Sequence, residues 1–184
     1  MRATELAHVL LGQSLKAGDW AVDATVGNGH DTLWLAQRVG PSGRVFGFDV
    51  QAAALATAAD RVRGLEQVTL FHEGHERMAE RLPAEARERL AAVMFNLGYL
   101  PGAAKHVITQ TESTAAALGQ AVDWLAIGGC ATVVSYPGHA GGAAEADAVR
   151  TFVRGLSARF AVSCHQRINS VGPAPELIVI ERMS

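Results

Sequence analysis

The stretch from Trp20 to Asp49 constrains this chain more than any other. Trp20 to Ala24 is a short apolar run of strand type. Gly27 and Gly29 follow as a turn in which the backbone can approach a ligand without interference from a Cβ. Thr32 to Val39 has helical spacing, so that Leu33, Leu35, Ala36 and Val39 can share a face. Pro41-Ser42-Gly43 marks a turn, and Arg44 to Phe48 reads as a second strand ending in Asp49. The whole is a strand–turn–helix–strand unit of about 30 residues, the size of one nucleotide-binding βαβ half.

Charge decides which nucleotide. A dinucleotide fingerprint is Gly-x-Gly-x-x-Gly with a pyrophosphate on the helix N-terminus. Here the third glycine position is Thr32. Asp23 stands four residues before Gly27, and Asp31 two after Gly29. Carboxylates on both sides of the loop repel a pyrophosphate and suit a ligand with cationic groups and no phosphate. S-adenosylmethionine fits, with its ammonium, its sulfonium and a single carboxylate. Asp49 can accept hydrogen bonds from both ribose hydroxyls, because an ionised carboxylate is a pure acceptor. The expected cofactor contacts are Asp23, Gly27, Asn28, Gly29, Asp31, Thr32, Asp49 and Gln51, joined further on by Gly74 and His75. The order Asp-x-x-x-Gly-x-Gly, then an acidic residue at the next strand end, resembles the cofactor site of class I methyltransferases.

A chain of 184 residues, 49% hydrophobic, is expected to form one α/β domain spanning residues 1–184. The formal net charge of −2 argues against a broad basic surface and strong non-specific nucleic-acid binding. It leaves room for a local patch that recognises one structured RNA. Cys130 and Cys164 are too few for a disulfide framework or a zinc site, and both are expected as buried core thiols. No signal peptide or membrane span is expected, so the cytoplasm is the default compartment.

In chain order, Ala3 to Leu15 reads as an amphipathic helix through Leu6, Val9, Leu10 and Leu15, covering the sheet or shaping the substrate mouth. Gln51 to Arg63 is an alanine-rich helix closed by Gly64. Val68 to Phe71 is a third strand, delivering His72 to Glu76 to the carboxyl edge of the sheet, where ligands sit in doubly wound folds. His75 and its neighbours are placed to read the adenine amino group. Two histidines three apart lack a further ligand of diagnostic spacing, so no metal site is expected. Met78 to Leu90 reads as a charged helix split by Pro83, with arginines and glutamates balanced on a solvated face.

Ala91 to Phe95 is a buried fourth strand running into Asn96-Leu97-Gly98-Tyr99-Leu100-Pro101-Gly102. A strand ending in Asn with Tyr three later resembles the Asn-Pro-Pro-Tyr loop of methyltransferases that act on planar nitrogens, with Leu97 and Gly98 in place of the two prolines. Thr109, Thr111, Ser113 and Thr114 form a hydroxyl-rich entry to a helix over Ala115 to Ile127, which Gly128-Gly129 ends. Thr109 is a candidate substrate contact. Cys130 to Ser135 is a fifth strand, followed by Tyr136-Pro137-Gly138-His139. Tyr136 and His139 are candidate substrate contacts, and His139 can take a proton from an ammonium substrate. Glu145 to Leu156 is the last helix. Phe160 to Ile168 and Leu177 to Ile180 are terminal strands with no helix between them, hence antiparallel.

The assembled segments resemble a specific family. Asp23-Ala-Thr-Val-Gly-Asn-Gly-His-Asp-Thr, Phe48-Asp-Val-Gln51, His72 to Glu76, Phe95-Asn-Leu-Gly-Tyr-Leu-Pro-Gly102, Ile108-Thr and Tyr136-x-Gly-His139 are similar to the small bacterial methyltransferases of the rRNA methylase family. That family includes the tRNA enzyme for 5-aminomethyl-(2-thio)uridine at the wobble position. The resemblance covers almost the whole chain. It implies a Rossmann-like class I methyltransferase with a mostly parallel seven-stranded sheet, an antiparallel terminal hairpin and helices on both faces. It implies S-adenosylmethionine as cofactor and a tRNA anticodon arm as substrate. Asn96, Tyr99 and His139 are then the catalytic candidates: Asn96 orients the amine, Tyr99 stacks on the base and His139 accepts the proton. Methylation of rRNA or a small molecule, or a non-catalytic cofactor-binding subunit, are the alternatives. With no separate RNA-binding domain, the chain must hold the anticodon arm with its own loops or as a homodimer.

Overall fold

Hydrophobic strands flanked by amphipathic helices dictate the layers. The computed structural model describes residues 1–98, 111–138 and 141–184. The central sheet has seven strands in the order β3-β2-β1-β4-β5-β7-β6. They are β1 (Trp20–Asp23), β2 (Arg44–Phe48), β3 (Val68–Phe71), β4 (Leu90–Asn96), β5 (Leu125–Ser135), β6 (Phe160–Gln166) and β7 (Glu176–Arg182). β1 to β5 pair in parallel, whereas β7 runs antiparallel to both β5 and β6. The helices are α1 (Ala3–Ser14), α2 (His30–Val39), α3 (Ala52–Arg61), the single turn α4 (Met78–Arg81), α5 (Thr111–Trp124) and α6 (Gly142–Arg154).

The central strands are buried on both faces, as a parallel sheet between helices requires. Along β1, Ala21 packs on one face with Ala7 and Leu11 of α1 and Leu35 and Ala36 of α2. Trp20 and Val22 pack on the other with Ala117, Leu118 and Ala121 of α5. β1 leads outward to β2 and β3, and the chain then returns to place β4 on the other side of β1. The loops after β1 and β4 therefore diverge, opening a crevice at the carboxyl edge.

Several local expectations are corrected. The buried face of α1 is Ala7 and Leu11, while Val9 is exposed, because the helix lies across α2 and the sheet at a different rotation. The charged helix expected over Met78 to Leu90 shrinks to one turn, followed by a 3-10 turn at Ala84–Ala86, because Pro83 carries no N–H to continue it. Gly128-Gly129 does not cap α5. The helix stops at Trp124, and the glycines sit in an irregularity of β5, where Leu125 pairs with Leu90 and Cys130 with Ala92. A Cβ on Gly129 would lie 2.5 Å from the Leu90 carbonyl, so the strand can bulge there only with glycine. Cys164 is exposed, since β6 is the edge strand and is covered on neither face; Cys130 is buried, which pushes its thiol up to about 12.

Gly29 is required by packing as much as by any ligand. Its φ is +77°, and a Cβ would stand 2.8 Å from the Cα of Ala58 in α3. Gly64 also has a positive φ, +83°, but open space around it. Gly29→Ala is therefore expected to cost about 2–4 kcal/mol of stability, and Gly64→Ala only about 1–2, the positive-φ strain alone. Urea denaturation of the two variants checks this; equal losses would show that the Ala58 contact does not matter.

Candidate active site

A cavity of about 2110 Å³ occupies the crevice at the carboxyl edge. A single small-ligand site usually takes roughly 300–1,000 Å³, so this one has room for two molecules side by side. Gly27, Asn28, Asp31, Asp49, Gln51, Gly74, His75, Asn96 and Tyr136 all line it. Asp23, Gly29 and Thr32 do not: they form the layer beneath. Tyr99, Thr109 and His139 lie outside the described residues.

The glycine loop is held by carboxylates. Asp23 ends β1 fully buried, and its two oxygens accept hydrogen bonds from the Thr32 hydroxyl at 2.6 Å and the Thr25 backbone N–H at 3.2 Å. Thr32 thus serves Asp23 and has no exposed surface, in place of the direct cofactor contact expected of it. Burial, and then the charge of Asp31, push the Asp23 carboxyl up to about 7 from an ordinary 3.8, against the hydrogen bonds from Thr32 and Thr25. Asp49 ties two loops together, accepting from the Gly27 N–H at 2.7 Å through one oxygen and from the Gln51 N–H at 2.8 Å through the other. Each oxygen keeps a lone pair for a further donor.

The sign of the Asp23 shift sets a pH dependence. The folded chain holds this proton up to about pH 7, whereas the unfolded chain releases it near pH 3.8. The group's contribution to stability is present below pH 3.8 and is lost as pH rises through about 7. Asp23→Asn is therefore expected to raise the thermal midpoint at pH 8 clearly more than at pH 5, where the protonated Asp23 still retains most of its contribution. The gain would be roughly 2–4 °C per kcal/mol recovered in a chain of this size. Thermal melts at the two pH values check it; a midpoint lowered equally at both would contradict the assignment.

His75 sits 6% exposed at the start of a 3-10 turn, edge-on to Phe95. Its Nδ1 lies 2.9 Å from the Ala24 carbonyl, which can only accept, so Nδ1 carries the hydrogen and Nε2 is an acceptor. Burial holds this imidazole below its ordinary pKa and so keeps it uncharged. Nε2 is buried with no hydrogen-bond partner. His75 as a residue lines the cavity, while this unpaired acceptor lies behind its surface, closed to solvent. His72 is turned away, within 3.1 Å of the Val50 carbonyl.

Asn96 ends β4. Its backbone N–H donates to the Thr25 hydroxyl at 2.7 Å, and the following N–H, of Leu97, donates to the Val134 carbonyl at 2.8 Å. The junction is thus fastened to both the loop after β1 and strand β5, with the Asn96 side chain in the cavity wall. Tyr136 is half-buried in the cavity wall, and burial, then the Asp31 charge, raise its phenol above the ordinary value.

Two walls of the cavity come from segments distant in sequence. One is the N-terminal stretch from Met1 to Leu6, running into α1, with His8, the helix expected either to cover the sheet or to shape the substrate mouth. The other, which sequence reasoning missed, is the β6–β7 connection, including Arg167, Ser170 and Pro173, which carries no local signature. Among the described residues no three metal-ligating side chains cluster, and no helix is long and apolar enough to cross a membrane.

Known proteins share this arrangement. Residues 45–181 match the family described as "Putative rRNA methylase". A chloroplastic tRNA (mnm(5)s(2)U34)-methyltransferase of Arabidopsis thaliana is 38% identical, the match covering 96% of this chain and 68% of the relative. The crystal structure of a "putative rRNA-methylase" from Clostridium thermocellum superposes with a TM-score of 0.93 at 38% identity, covering 99% of this chain and 98% of that one. A Streptococcus mutans "putative methyltransferase", solved in complex with SAH, has a TM-score of 0.88 at 35% identity, covering 99% and 98%. The site's own chemistry is compatible with that cofactor class: the carboxylates of Asp31 and Asp49 stand in the cavity, and Asp49 keeps lone pairs free for hydroxyl donors. With fold, cavity and relatives in agreement, the chain belongs to the rRNA methylase family and is an S-adenosylmethionine-dependent methyltransferase of the Rossmann-like class I fold.

Proposed function

We propose that the protein methylates the aminomethyl nitrogen of 5-aminomethyl-(2-thio)uridine at the wobble position of tRNA. The observation that carries this reading is the Asn96–Leu97 junction, clamped by Thr25 and Val134 in the wall of the cofactor cavity. The name of the 38%-identical Arabidopsis relative supports the choice of substrate.

The bound cofactor supplies an electrophilic methyl group. The chain's own residues hold both partners. Asp31 and Asp49 face the cofactor's cationic and ribose groups, and His75 is assigned to the wall beside the adenine. The Asn96 side-chain carbonyl accepts a hydrogen from the substrate amine, leaving the nitrogen lone pair on the line of attack. Most of the acceleration comes from this positioning. Tyr99 is assigned to stack on the uracil, as looped-out bases are commonly held. His139 is assigned the proton that the ammonium must lose before it reacts. A wobble base already lies in a loop, so extruding it costs less than flipping a duplex base.

The test is incubation with labelled cofactor and tRNA from cells lacking the modification, followed by digestion to nucleosides. Label is expected in the methylaminomethyl nucleoside of the anticodon. Label in rRNA and not in tRNA would overturn the substrate; no transfer to any RNA would favour the small-molecule alternative.

A further inference from the structure

α1 is docked on α2 along a seam that the cofactor reading does not use. His8 Nε2 lies 2.7 Å from Asp31 Oδ1. A carboxylate can only accept, so Nε2 carries the hydrogen. The His8 ring lies flat on Trp34, with centroids 4.2 Å apart and planes 3° apart. One turn further along, Arg38 packs on Trp34 from 5.4 Å, and a Cβ on Gly12 of α1 would come within 3.2 Å of the Arg38 guanidinium. His8 and Gly12 are i, i+4 on α1; Asp31, Trp34 and Arg38 recur every three or four residues on α2. The two ridges therefore mesh.

The cavity end of this seam is the functional one. The side chain of Asp31 is only 12% exposed, yet it lines the cavity and carries the charge that raises both Asp23 and Tyr136. Met1 to Leu6, leading into and opening the helix that carries His8, form the adjoining wall. One Asp31 oxygen is committed to His8, which sets the direction of the other. Without that bond the carboxylate can rotate, while α1 itself stays packed on the sheet through Ala7 and Leu11.

We infer that His8 is a positioning residue for the cofactor's amino-acid end: seated on Trp34, it orients the Asp31 carboxylate that receives the ammonium. This rests on the cofactor orientation proposed above. It assigns no contact between His8 and the substrate.

Two thioether nucleosides separate this role from general loosening. S-adenosylhomocysteine carries the amino-acid end, and 5′-methylthioadenosine lacks it. Calorimetry is expected to show His8→Ala weakening S-adenosylhomocysteine about tenfold, the scale of one lost hydrogen bond to a charged group, while methylthioadenosine binds as to wild type. His8→Gln, which keeps an N–H donor, should recover part of the loss. In an Asp31→Asn background the His8→Ala effect on S-adenosylhomocysteine should vanish. Equal weakening of both nucleosides, no weakening of either, or an undiminished effect in the Asp31→Asn background would each overturn the inference. If methylthioadenosine binds wild type as tightly as S-adenosylhomocysteine, the cofactor orientation itself is wrong, and the inference falls with it.

Discussion

Asn96→Ala is expected to bind S-adenosylhomocysteine with wild-type affinity and to lose turnover by about a hundredfold or more, the cost of misplacing a reacting group by about an ångström. The separation of the two effects follows from the geometry. The backbone of Asn96, not its side chain, makes the bonds that hold β4 to the glycine loop. β4 pairs with β5 up to Val134, and Leu97 behind it is fully buried. Removing the carboxamide therefore deletes a cavity group and leaves the frame standing. Single-turnover methylation of undermodified tRNA, with calorimetry on the same preparation, measures both quantities. A variant that turns over like wild type would remove Asn96 from the chemistry; one that also loses the cofactor would mean that the side chain supports the loop.

Asp49→Ala should act the other way, weakening S-adenosylhomocysteine by about a hundredfold or more. Its two oxygens hold the Gly27 and Gln51 N–H groups as well as facing the ribose site. A hydrogen bond to a charged group is worth about 1.5–3 kcal/mol, and 1.4 kcal/mol is tenfold in affinity. The alanine variant leaves two backbone donors without their acceptor and loosens the loop after β1 against the loop after β2. Asp49→Glu should not restore binding, because the longer side chain cannot reach both N–H groups from the same backbone position. Affinity within threefold of wild type for the alanine variant would show that the loops are held by other means.

The core of the fold was legible because its signals are local. The strand–turn–helix–strand unit around Gly27 and Gly29 announces itself in 30 consecutive positions, from Trp20 to Asp49. The missing helix between β6 and β7 forces their antiparallel pairing. Where local signals competed, the reading slipped. Gly128-Gly129 has the same composition as a helix cap and as a strand bulge, and only the pairing of β5 with Leu90 and Ala92 distinguishes them. Cys164 has a strand-like setting that does not reveal an edge position.

What the sequence determined by itself is the choice of ligand class: of the acidic residues around a tight glycine turn, Asp31 and Asp49 stand in the cavity, and charge of that sign at that place admits a cation and repels a diphosphate. What only the tertiary structure decided is the division of labour among those residues. Asp23 and Thr32 became a buried support, Asp31 became the cavity carboxylate, and α1 supplied His8 from 23 positions away. Thr25 and Asn96, 71 residues apart, meet only because β4 returns to lie beside β1. Such partners are chosen by the packing of the whole sheet, and the sequence around either of them carries no trace of the other.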